Sequence, residues 1–395
     1  MATDQQGRFA KRCAPGHILV DEDYVSAVME TVTSPEFGVL RGVSTDEPDR
    51  AGLVALYWVE DERDPAEVVR RIRELSPLLE DKVSPDHTVG LLPSRTGDES
   101  GASIEMGGPA EPAEPADEPF ERRRDTDRAG RGVTVGVIDS GIIGHTWVDG
   151  SFLATPGSID PLDDDHNGDL DPQAGHGLFV GGVILREAPA AVLRVVRAFD
   201  DYGYVRIRRA ANAIVELDEL GCDVINLSFG RHTERNRPPL AHRKALSKIR
   251  DTTVVVAAAG NHKPHDRNYV EGRKFWPAAF QRVVAVAALD TASGIRMASF
   301  SNVGGWVDIA APGARVLGPF ATFGKFNGWA RWSGTSFAAP MVAGRIAATM
   351  TDEAGNRVRS AQKAKELVIE DAAILRPQGI AVDASVVERI ILPRD

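Results

Sequence analysis

Three short segments of the sequence each place a side chain that can take part in nucleophilic chemistry within two residues of a glycine. Asp139 ends the apolar run VTVGVID, His176 lies between two glycines in AGHGLFVGG, and Ser336 lies in SGTSFAAPMVAG. A serine hydroxyl becomes a good nucleophile when an imidazole takes its proton, and a carboxylate fixes the tautomer of that imidazole and stabilises its charged form. Together the three residue types supply the parts of an acyl-transfer site.

Each of these residues also has an ordinary structural explanation when it is taken alone. Asp139 could cap the turn after its strand, and Ser333 or Thr335 could cap a helix, as such residues commonly do. Ser336 precedes a run of small and apolar residues that predicts a buried helix, whose free N–H groups and dipole favour negative charge. The catalytic hypothesis therefore depends on all three segments meeting in the fold.

A fourth segment, VVVAAAGNH, ends a buried apolar run with Gly260 and Asn261. A side-chain amide at this position can donate a hydrogen bond to the oxyanion that develops in the transition state of acyl transfer. An asparagine after a glycine is also common in turns. The two interpretations of Asn261 remain open at this point.

Beyond residue 131, apolar runs alternate with helical patterns. The runs VTVGVID, DVINLSF, TTVVVAAAG and VVAVAAL are bounded by glycine and aspartate, and patterns such as VRIRRAANAIVELDEL separate them. Strands that are apolar on both faces and joined by helices predict a parallel sheet covered on each side. In such α/β folds the active site lies at the carboxyl edge of the strands, which is where Asp139 and Asn261 are expected.

The N-terminal part predicts a second, smaller domain. From residue 17 the chain reads HILV, EDYVSAVMETV, GVLRGVS, GLVALYWVE, DPAEVVRRIRELSPLL and HTVGLL, which predicts the β-α-β-β-α-β order of a ferredoxin-like α+β domain. In the second helix, Asp64 can act as the cap and Pro65 suits the first turn.

The predicted domain organisation has three parts. The small α+β domain takes residues 1–93, and the α/β domain takes residues 131–395. Between them, residues 94–130 are rich in glycine, proline and acidic residues, and such a stretch cannot bury enough apolar surface to order itself. We therefore expect a linker there.

The overall composition excludes several classes of protein. Across 395 residues, 46 lysines and arginines stand against 57 aspartates and glutamates, a net charge of -11, which argues against a dedicated nucleic-acid or anionic-membrane binder. We find no signal-peptide pattern and no apolar run of about 18 residues, the length of a membrane span, so we expect a cytoplasmic protein. Cys13 and Cys222 do not make a disulfide framework, and we expect both to be reduced.

An acidic stretch, DDDHNGDLD, resembles the start of a calcium-binding loop. Asp163, Asp165, Asn167 and Asp169 supply oxygen atoms at that spacing, but the twelfth position is Ala174, where such a loop needs a bidentate glutamate. We expect a solvated acidic loop and no required cofactor, with calcium binding left open.

Five segments together resemble the signature segments of the subtilisin-like serine proteases, known as subtilases: VTVGVIDSGI, GHG, VINLSFG, VVAAAGN and SGTSFAAPMVAG. The resemblance covers about residues 131–390. It implies that Asp139 orients the base, that His176 is the base and later the acid, and that Ser336 attacks the peptide carbonyl. It also implies that Asn261 and the backbone N–H of Ser336 hold the oxyanion.

The resemblance further implies a strand that pairs with the substrate backbone beside the first specificity pocket, formed by Ser228, Phe229 and Gly230. The family usually has Gly-Thr-His from the residue after the catalytic histidine, whereas this chain has Gly177, Leu178 and Phe179, which we expect to change packing rather than chemistry. The segment HKPHDRNYVEGRKF is longer and more charged than we expect for the family, so the specificity of the pocket stays open.

The sequence thus predicts an α/β subtilisin-like serine endopeptidase that hydrolyses peptide or protein substrates through an acyl-enzyme. Its N-terminal domain resembles the subtilase propeptide, a folding chaperone and temporary inhibitor that the enzyme cuts off; a permanent regulatory or partner-binding domain fits the same pattern. Two further functions remain as alternatives. One is a catalytically silent subtilase fold that binds or scaffolds peptides. The other is a narrow-purpose protease of a peptide-maturation or defence pathway, controlled by its N-terminal domain.

Overall fold

The computed structural model describes the following residues: 13–38, 40–58, 63–90, 111–116, 127–164, 166–200, 203–261, 270, 272–292, 295–374 and 389–390. The chain divides into two compact units. The first joins residues up to 89 with two helical segments, 205–216 and 238–249, and the second takes the remainder. Because those two segments were expected in the C-terminal domain, the boundaries 1–93, 94–130 and 131–395 stay a prediction.

The first unit contains a five-stranded sheet. Its elements follow the predicted β-α-β-β-α-β order along the chain: β1 (Cys13–Asp21), α1 (Val25–Val32), β2 (Ser44–Thr45), β3 (Leu53–Tyr57), α2 (Pro65–Leu75) and β4 (Val83–Gly90), followed much later by β9 (Tyr204–Arg206). The strand order in the sheet is β2-β3-β1-β4-β9. The strand predicted over GVLRGVS is wrong except at its end. Gly38 and Gly42 take φ values of 85° and 61°, so this segment turns instead of extending.

Helix α2 confirms the capping predicted from the sequence. The Oδ1 atom of Asp64 accepts a hydrogen bond of 2.7 Å from the backbone N–H of Ala66, and Pro65 begins the helix. Val68 and Ile72 are buried in the core of this unit. The helix therefore forms because its cap and its apolar face agree.

Long-range ion pairs join the two helical segments of the first unit to its N-terminal residues. Arg208 contacts Asp46 and Asp49, each at 2.6 Å, and Lys244 contacts Asp21 at 2.8 Å. These three ion pairs are partly shielded from water, so solvent screens them less than it screens exposed pairs. They link residues about 160 to 220 positions apart, which no local pattern predicts.

The second unit contains a large, mostly parallel sheet. Its main strands are β6 (Thr134–Asp139), β7 (Phe152–Ala154), β8 (Val192–Arg197), β10 (Val224–Leu227), β12 (Val254–Ala258), β14 (Val283–Asp290) and β16 (Ile309–Pro312), with β15 (Arg296–Met297), β19 (Ala373–Ile374) and β20 (Arg389–Ile390) at its margins. The order is β19-β20-β16-β14-β12-β10-β6-β8-β7. Neighbours from β7 to β16 run parallel. The predicted α/β fold is confirmed.

Helices of the second unit pack on this sheet. They are α3 (His176–Glu187), α6 (Thr335–Thr349) and α7 (Ala361–Asp371), whereas α4 (Ile207–Glu219) lies largely in the first unit and α5 (Leu240–Lys248) lies wholly in it. On one face Val137 and Val256 share a core with Phe337 of α6. On the other face a side chain at Gly136 would meet Leu217 at 2.8 Å. None of the helices within the described ranges is long and apolar enough to cross a membrane.

Cys222 is buried and free, as expected. Its burial raises the pKa of the thiol to about 12, so little of it is present as the reactive thiolate. The side chain of Cys13 lies outside the described residues, so the expectation that it is reduced stays a prediction.

Helices α3 and α6 are fixed against each other near their C-terminal halves. A side chain at Gly344 would lie 2.6 Å from the carbonyl oxygen of Ile184, so glycine allows the two helices to approach closely. Next to this contact, Arg345 pairs with the fully buried Glu187 at 2.8 Å. The close approach at Gly344 sets the relative position of the two helices, whose first turns carry His176 and Ser336.

A two-stranded sheet pairs β11 (Arg231–His232) with β13 (Phe275–Trp276). A separate three-stranded sheet leads into α6. It has the order β17-β18-β5, with β17 at Val316–Phe323, β18 at Phe326–Ser333 and β5 at Glu111–Pro115. Strand β5 lies inside the stretch that we expected to be an unstructured linker. That expectation is wrong for these five residues, because β18 supplies backbone partners that the linker itself lacks.

Candidate active site

Strand β6 delivers Asp139 to the carboxyl edge of the parallel sheet. Its Oδ1 atom accepts two hydrogen bonds, one of 2.8 Å from the N–H of Ser140 and one of 2.7 Å from Nδ1 of His176. Both side chains of the Asp139–His176 pair are 0% exposed. A hydrogen bond to a carboxylate in such a dry place is stronger than one in water and holds the imidazole in a single orientation.

Glycine residues allow this pair to form. Gly175 precedes helix α3 with a φ of 77°, a left-handed conformation that favours glycine. A side chain at Gly177 would lie 2.0 Å from the carbonyl oxygen of Gly141. The two glycines that flank His176 therefore bring the first turn of the helix against the loop that follows Asp139.

A second carboxylate, Asp160, ties the same two loops together. Its Oδ2 atom accepts hydrogen bonds from the hydroxyl of Ser140 at 2.8 Å and from the N–H of Gly175 at 2.9 Å, and its Oδ1 accepts one from Leu162 at 3.0 Å. The hydroxyl of Ser140 in turn accepts a bond from Gly177. Burial raises the pKa of Asp160, although these hydrogen bonds oppose that shift. Sequence reasoning missed Asp160, and only the serine directly after Asp139 hinted at such a partner.

The other ring nitrogen of His176 is available for chemistry. Its Nε2 atom is buried and has no hydrogen-bond partner. The ring lies against Phe337 at a centroid distance of 5.2 Å and against the edge of Trp332 at 5.4 Å. These aromatic contacts leave Nε2 as an unoccupied acceptor or donor next to the start of helix α6.

Ser336 is the second residue of helix α6, and it is 1% exposed. The cap position is held by Gly334, without a side-chain hydrogen bond. The hydroxyl of Ser333 instead accepts a bond from the N–H of Arg315. The alternative in which Ser333 or Thr335 caps the helix is therefore wrong, and the helix start remains open to negative charge.

A proline in α6 leaves the carbonyl of Ser336 free to bond to the segment that follows β10. Pro340 has no N–H to give to the carbonyl of Ser336, four residues earlier. That carbonyl accepts a hydrogen bond of 2.8 Å from the hydroxyl of Ser228, which is itself held by the amide of Asn226 at 2.9 Å. The hydroxyl of Ser336 donates to the carbonyl of Ser228 at 3.2 Å.

Asn261 follows β12 at the same sheet edge, and its amide is oriented by Thr335. The Oδ1 atom of Asn261 accepts hydrogen bonds from the N–H and the hydroxyl of Thr335, at 2.8 Å and 2.9 Å. The Nδ2 group is buried and has no partner. With its oxygen held on the nucleophile segment, Asn261 keeps a free donor, which is what stabilisation of an oxyanion requires.

The predicted substrate-binding residues Ser228, Phe229 and Gly230 are buried, and two of them lie close to aromatic residues. Phe229 packs against Phe199 at a ring distance of 5.2 Å, and a side chain at Gly230 would lie 2.5 Å from the carbonyl oxygen of Trp276. The longer, charged segment HKPHDRNYVEGRKF falls largely on residues 262–269 and 271, which lie outside the described residues. The specificity of the pocket therefore stays open.

The residues that replace the usual family pattern after the histidine face the core. Leu178 and Phe179 are fully buried, and the ring of Phe179 contacts Phe337 at 4.6 Å and Trp332 at 5.8 Å. Their position agrees with the expectation that this departure changes packing.

The acidic loop uses its oxygen atoms internally. Asp163 accepts hydrogen bonds from the N–H groups of Asn167 and Gly168, at 3.0 Å and 2.9 Å, and Asn167 accepts one from Asp169 at 2.7 Å. Asp165 lies outside the described residues. Among the residues that the structure does describe, no group of three or more histidines, cysteines or carboxylates is placed to hold a metal ion.

The structure thus brings the predicted residues into one continuous set of contacts. Asp139 bonds to His176, the ring of His176 touches Phe337 directly after Ser336, and Asn261 bonds to Thr335 directly before it. One expected contact is absent here, since the hydroxyl of Ser336 points to Ser228 and not to Nε2 of His176. Catalytic hydrogen bonds are often unformed in an enzyme without substrate.

Residues 130–385 match the Peptidase_S8 family model, which is described as the subtilase family. Since the match covers more than half of the chain, the protein belongs to the subtilase family. A thermophilic serine proteinase from Bacillus sp. (strain AK1) is 33% identical over 250 residues, which are 60% of this chain and 57% of that protein. The chain thus spans just over half the length of this relative.

Solved structures agree with this family assignment. The structure of the prenylagaramide maturation protease PagA is 25% identical, with a TM-score of 0.51, and the match covers 64% of this chain and 87% of that one. Fervidolysin from Fervidobacterium pennivorans, described as a keratinolytic enzyme related to subtilisin, has a TM-score of 0.62 over 96% of this chain and 60% of its own, at 18% identity. The second likeness shows the fold alone.

Proposed function

We propose that this protein is a serine endopeptidase that hydrolyses peptide bonds through an acyl-enzyme. The observation that carries the proposal is the buried Asp139–His176 hydrogen bond of 2.7 Å, whose free Nε2 lies beside the helix start that bears Ser336. The free Nδ2 of Asn261 supplies a hydrogen-bond donor for the oxyanion. Membership of a serine protease family supports the same activity.

In the proposed mechanism, the hydroxyl of Ser336 first turns from the carbonyl of Ser228 to Nε2 of His176. This turn is a rotation of the serine side chain, and the hydrogen bond to Ser228 that it breaks is 3.2 Å long and therefore weak. Nε2 takes the hydroxyl proton while the serine oxygen attacks the substrate carbonyl. The charge on the ring is stabilised by Asp139, which stays ionised.

The attack moves an electron pair onto the carbonyl oxygen of the substrate. We propose that Nδ2 of Asn261 and the N–H of Ser336, at the positive end of helix α6, donate hydrogen bonds to this oxyanion. His176 then gives its proton to the leaving amine, and the ester bond to Ser336 remains. Water, activated by the same imidazole, breaks that ester and restores the hydroxyl.

The test replaces the nucleophile. Ser336→Ala should abolish hydrolysis of casein and of fluorogenic peptides, and also labelling by a fluorophosphonate probe. Ser333→Ala serves as the matched control, because it removes a hydroxyl from the same segment while Ser336 is kept. It should retain labelling. Persistent labelling of the Ser336→Ala protein, or an inactive wild type that folds normally, would refute the proposal and favour a silent binding or scaffold protein.

We also propose that the chain processes its own N-terminal region and that this region acts as a propeptide-like domain. The β-α-β-β-α-β order of the first unit supports that part of the proposal. Mass spectrometry of purified wild type beside Ser336→Ala is the test. A cut between residues 94 and 130 in the wild type alone would support self-processing, whereas identical intact masses would favour a retained regulatory domain.

A narrower role in peptide maturation is a second candidate. The observation that favours it is the likeness to the maturation protease PagA, at 25% identity and a TM-score of 0.51. Such an enzyme would act on one peptide class, whereas a general endopeptidase would cut casein at many sites. Profiling of wild-type cleavage on a peptide library distinguishes the two, because only the narrow enzyme leaves most of the library intact.

A further inference from the structure

We propose that strand β5 occupies the binding positions for the substrate residues that follow the scissile bond, so that this chain restrains its own access to longer substrates. The proposal rests on the peptidase function proposed above. It concerns Glu111–Pro115, a segment outside the residues that the family resemblance assigns to the site.

The first argument is that β5 holds the free edge of the strand that leads to the nucleophile. Strand β18 is the middle strand of its sheet, and β17 pairs with one of its edges. The other edge is the one that an extended peptide could join by backbone hydrogen bonds. Here β5 fills it, with Ala330 opposite Pro115 and Ser333 opposite Glu111.

The second argument is proximity. Ser333 stands three residues before Ser336, so their Cα atoms are at most about 11 Å apart, since consecutive Cα atoms are about 3.8 Å apart. Glu111, which pairs with Ser333, is therefore close to the point where the peptide bond is cut. An extended chain of about three residues spans that upper limit.

The third argument is direction. The pairing of β5 with β18 is antiparallel, and the N-terminal end of β5 lies nearest to Ser336. Chain direction therefore leads away from the nucleophile from Glu111 to Pro115. A substrate chain on the leaving-group side has the same polarity, because its residues run from the scissile bond toward their carboxyl end. Strand β5 thus resembles a bound leaving group in both position and direction.

The strand is held weakly enough to be displaced. The N–H of Ala116 donates to the carbonyl of Trp329 at 3.1 Å, and Ala113 packs against the core. The ion pair between Glu114 and Arg315, at 3.4 Å, is exposed and contributes little. Two of the five residues are prolines, which have no N–H to donate to the ladder. A substrate with a full set of N–H groups can compete for this edge.

The arrangement predicts that β5 affects only one side of the substrate. Within the described part of the chain, β5 pairs with β18 and not with the predicted acyl-side segment, Ser228 to Gly230. A peptide p-nitroanilide has residues on the acyl side only, whereas an internally quenched peptide with the same acyl-side residues and four more after the scissile bond needs both sides. The acyl-side sequence is taken from a wild-type cleavage site in a peptide library.

The experiment compares the full-length wild type with a variant in which residues 111–116 are replaced by Gly-Ser-Gly-Ser-Gly-Ser. An edge that is open about a tenth of the time raises the apparent KM about tenfold. The variant should therefore show a KM about tenfold lower for the extended peptide and an unchanged KM for the nitroanilide. The matched control carries the same replacement at residues 98–103 of the predicted linker and should behave as wild type. The intact mass of each protein is measured first, so that any cleavage between residues 94 and 130 is known before the KM values are compared.

The outcomes separate the two proposals. If the variant cleaves the nitroanilide normally but its KM for the extended peptide is unchanged, β5 does not compete and the inference is overturned while the peptidase function stands. If the wild type cleaves neither substrate, the proposed function fails.

A second measurement tests the inference if the variant with residues 111–116 replaced does not fold. In Ser336→Ala protein, the extended peptide should speed amide hydrogen exchange in segment 111–116, and a peptide with acyl-side residues alone should not. Equal exchange with both peptides would also overturn the inference.

Discussion

Replacing Asp139 by asparagine tests the electrostatic part of the mechanism. The Asp139→Asn change keeps the shape of the side chain and removes its charge. The N–H of Ser140 points at the same oxygen that accepts the bond from His176. The N–H of Ser140 should keep the oxygen of the new asparagine amide facing His176. The opposite orientation would place the amide nitrogen, itself a donor, against the N–H of Ser140. The imidazole tautomer should thus be retained and the loss should come mainly from the missing charge.

The size of the effect follows from the distance. The two side chains are fully buried and their hydrogen bond is 2.7 Å long, which places the centres of charge about 4 Å apart. At an effective dielectric constant of about 20, two charges at that distance interact by about 4 kcal/mol. Each 1.36 kcal/mol changes a rate about tenfold, so we expect kcat to fall about a thousandfold. KM should change little, because Asp139 does not contact the substrate.

The assay is steady-state hydrolysis of a peptide p-nitroanilide, with Glu187→Gln as the matched control. Glu187 is a fully buried carboxylate at the far end of the same helix α3, paired with Arg345. Its replacement should lower the melting temperature but leave kcat within about twofold of wild type. A loss of less than tenfold in Asp139→Asn would refute the reasoning. An equal loss in Glu187→Gln would show that the effect is one of packing.

Three further predictions address stability. Ser228→Ala leaves the buried carbonyl of Ser336 without a donor, since Pro340 has none, and should lower the free energy of unfolding by about 1–3 kcal/mol in denaturant titrations; a loss below about 0.3 kcal/mol would contradict this. Burial lowers the pKa of His145, whose Nδ1 accepts from Trp147. Stability from neutral His145 is present above its ordinary pKa of 6.5 and is lost as pH falls through the lowered value. The melting temperature should therefore drop less in His145→Gln than in wild type between pH 7.5 and 5.5, and equal drops would contradict this. Millimolar calcium or a chelator should leave the melting temperature unchanged, and a calcium-dependent rise would reveal a metal site.

The parallel sheet and its active edge could be predicted from the sequence, because strands that are buried on both faces appear as continuous apolar runs. Runs such as VTVGVID and VVAVAAL became β6 and β14, fully buried apart from their ends. The chemistry-bearing residues Asp139 and Asn261 follow such runs, so their shared edge was predictable as well. What the pattern could not give is the rotamer of Ser336, which depends on the carbonyl of Ser228.

Contacts made through backbone atoms could not be predicted from the sequence, because they do not depend on a particular pattern of side chains. Strand β5 comes from a stretch without apolar alternation, and its pairing with β18 depends on a partner more than 200 residues away. Pro340 did carry a usable signal, since a proline inside a helix frees the carbonyl four residues earlier. The donor for that carbonyl, Ser228, lies 108 residues away and could not be predicted.

The division of the chain into two units also could not be predicted from the sequence. The segment that begins α4 has the periodicity of any surface helix, yet Arg208 makes ion pairs with Asp46 and Asp49 in the first unit. Charge pairs of this kind depend on three-dimensional proximity, and any arginine on an exposed helix face has the same local signature.

The most direct test of the central claim is to map a covalent adduct on the wild-type protein. The protein is treated with a fluorophosphonate, digested, and its peptides are analysed by mass spectrometry, with His176→Ala treated in parallel. We predict one modified residue, Ser336, and an at least hundredfold slower reaction in His176→Ala. Modification of a different serine, or equal rates in the two proteins, would contradict a nucleophile at Ser336 that depends on the His176 imidazole.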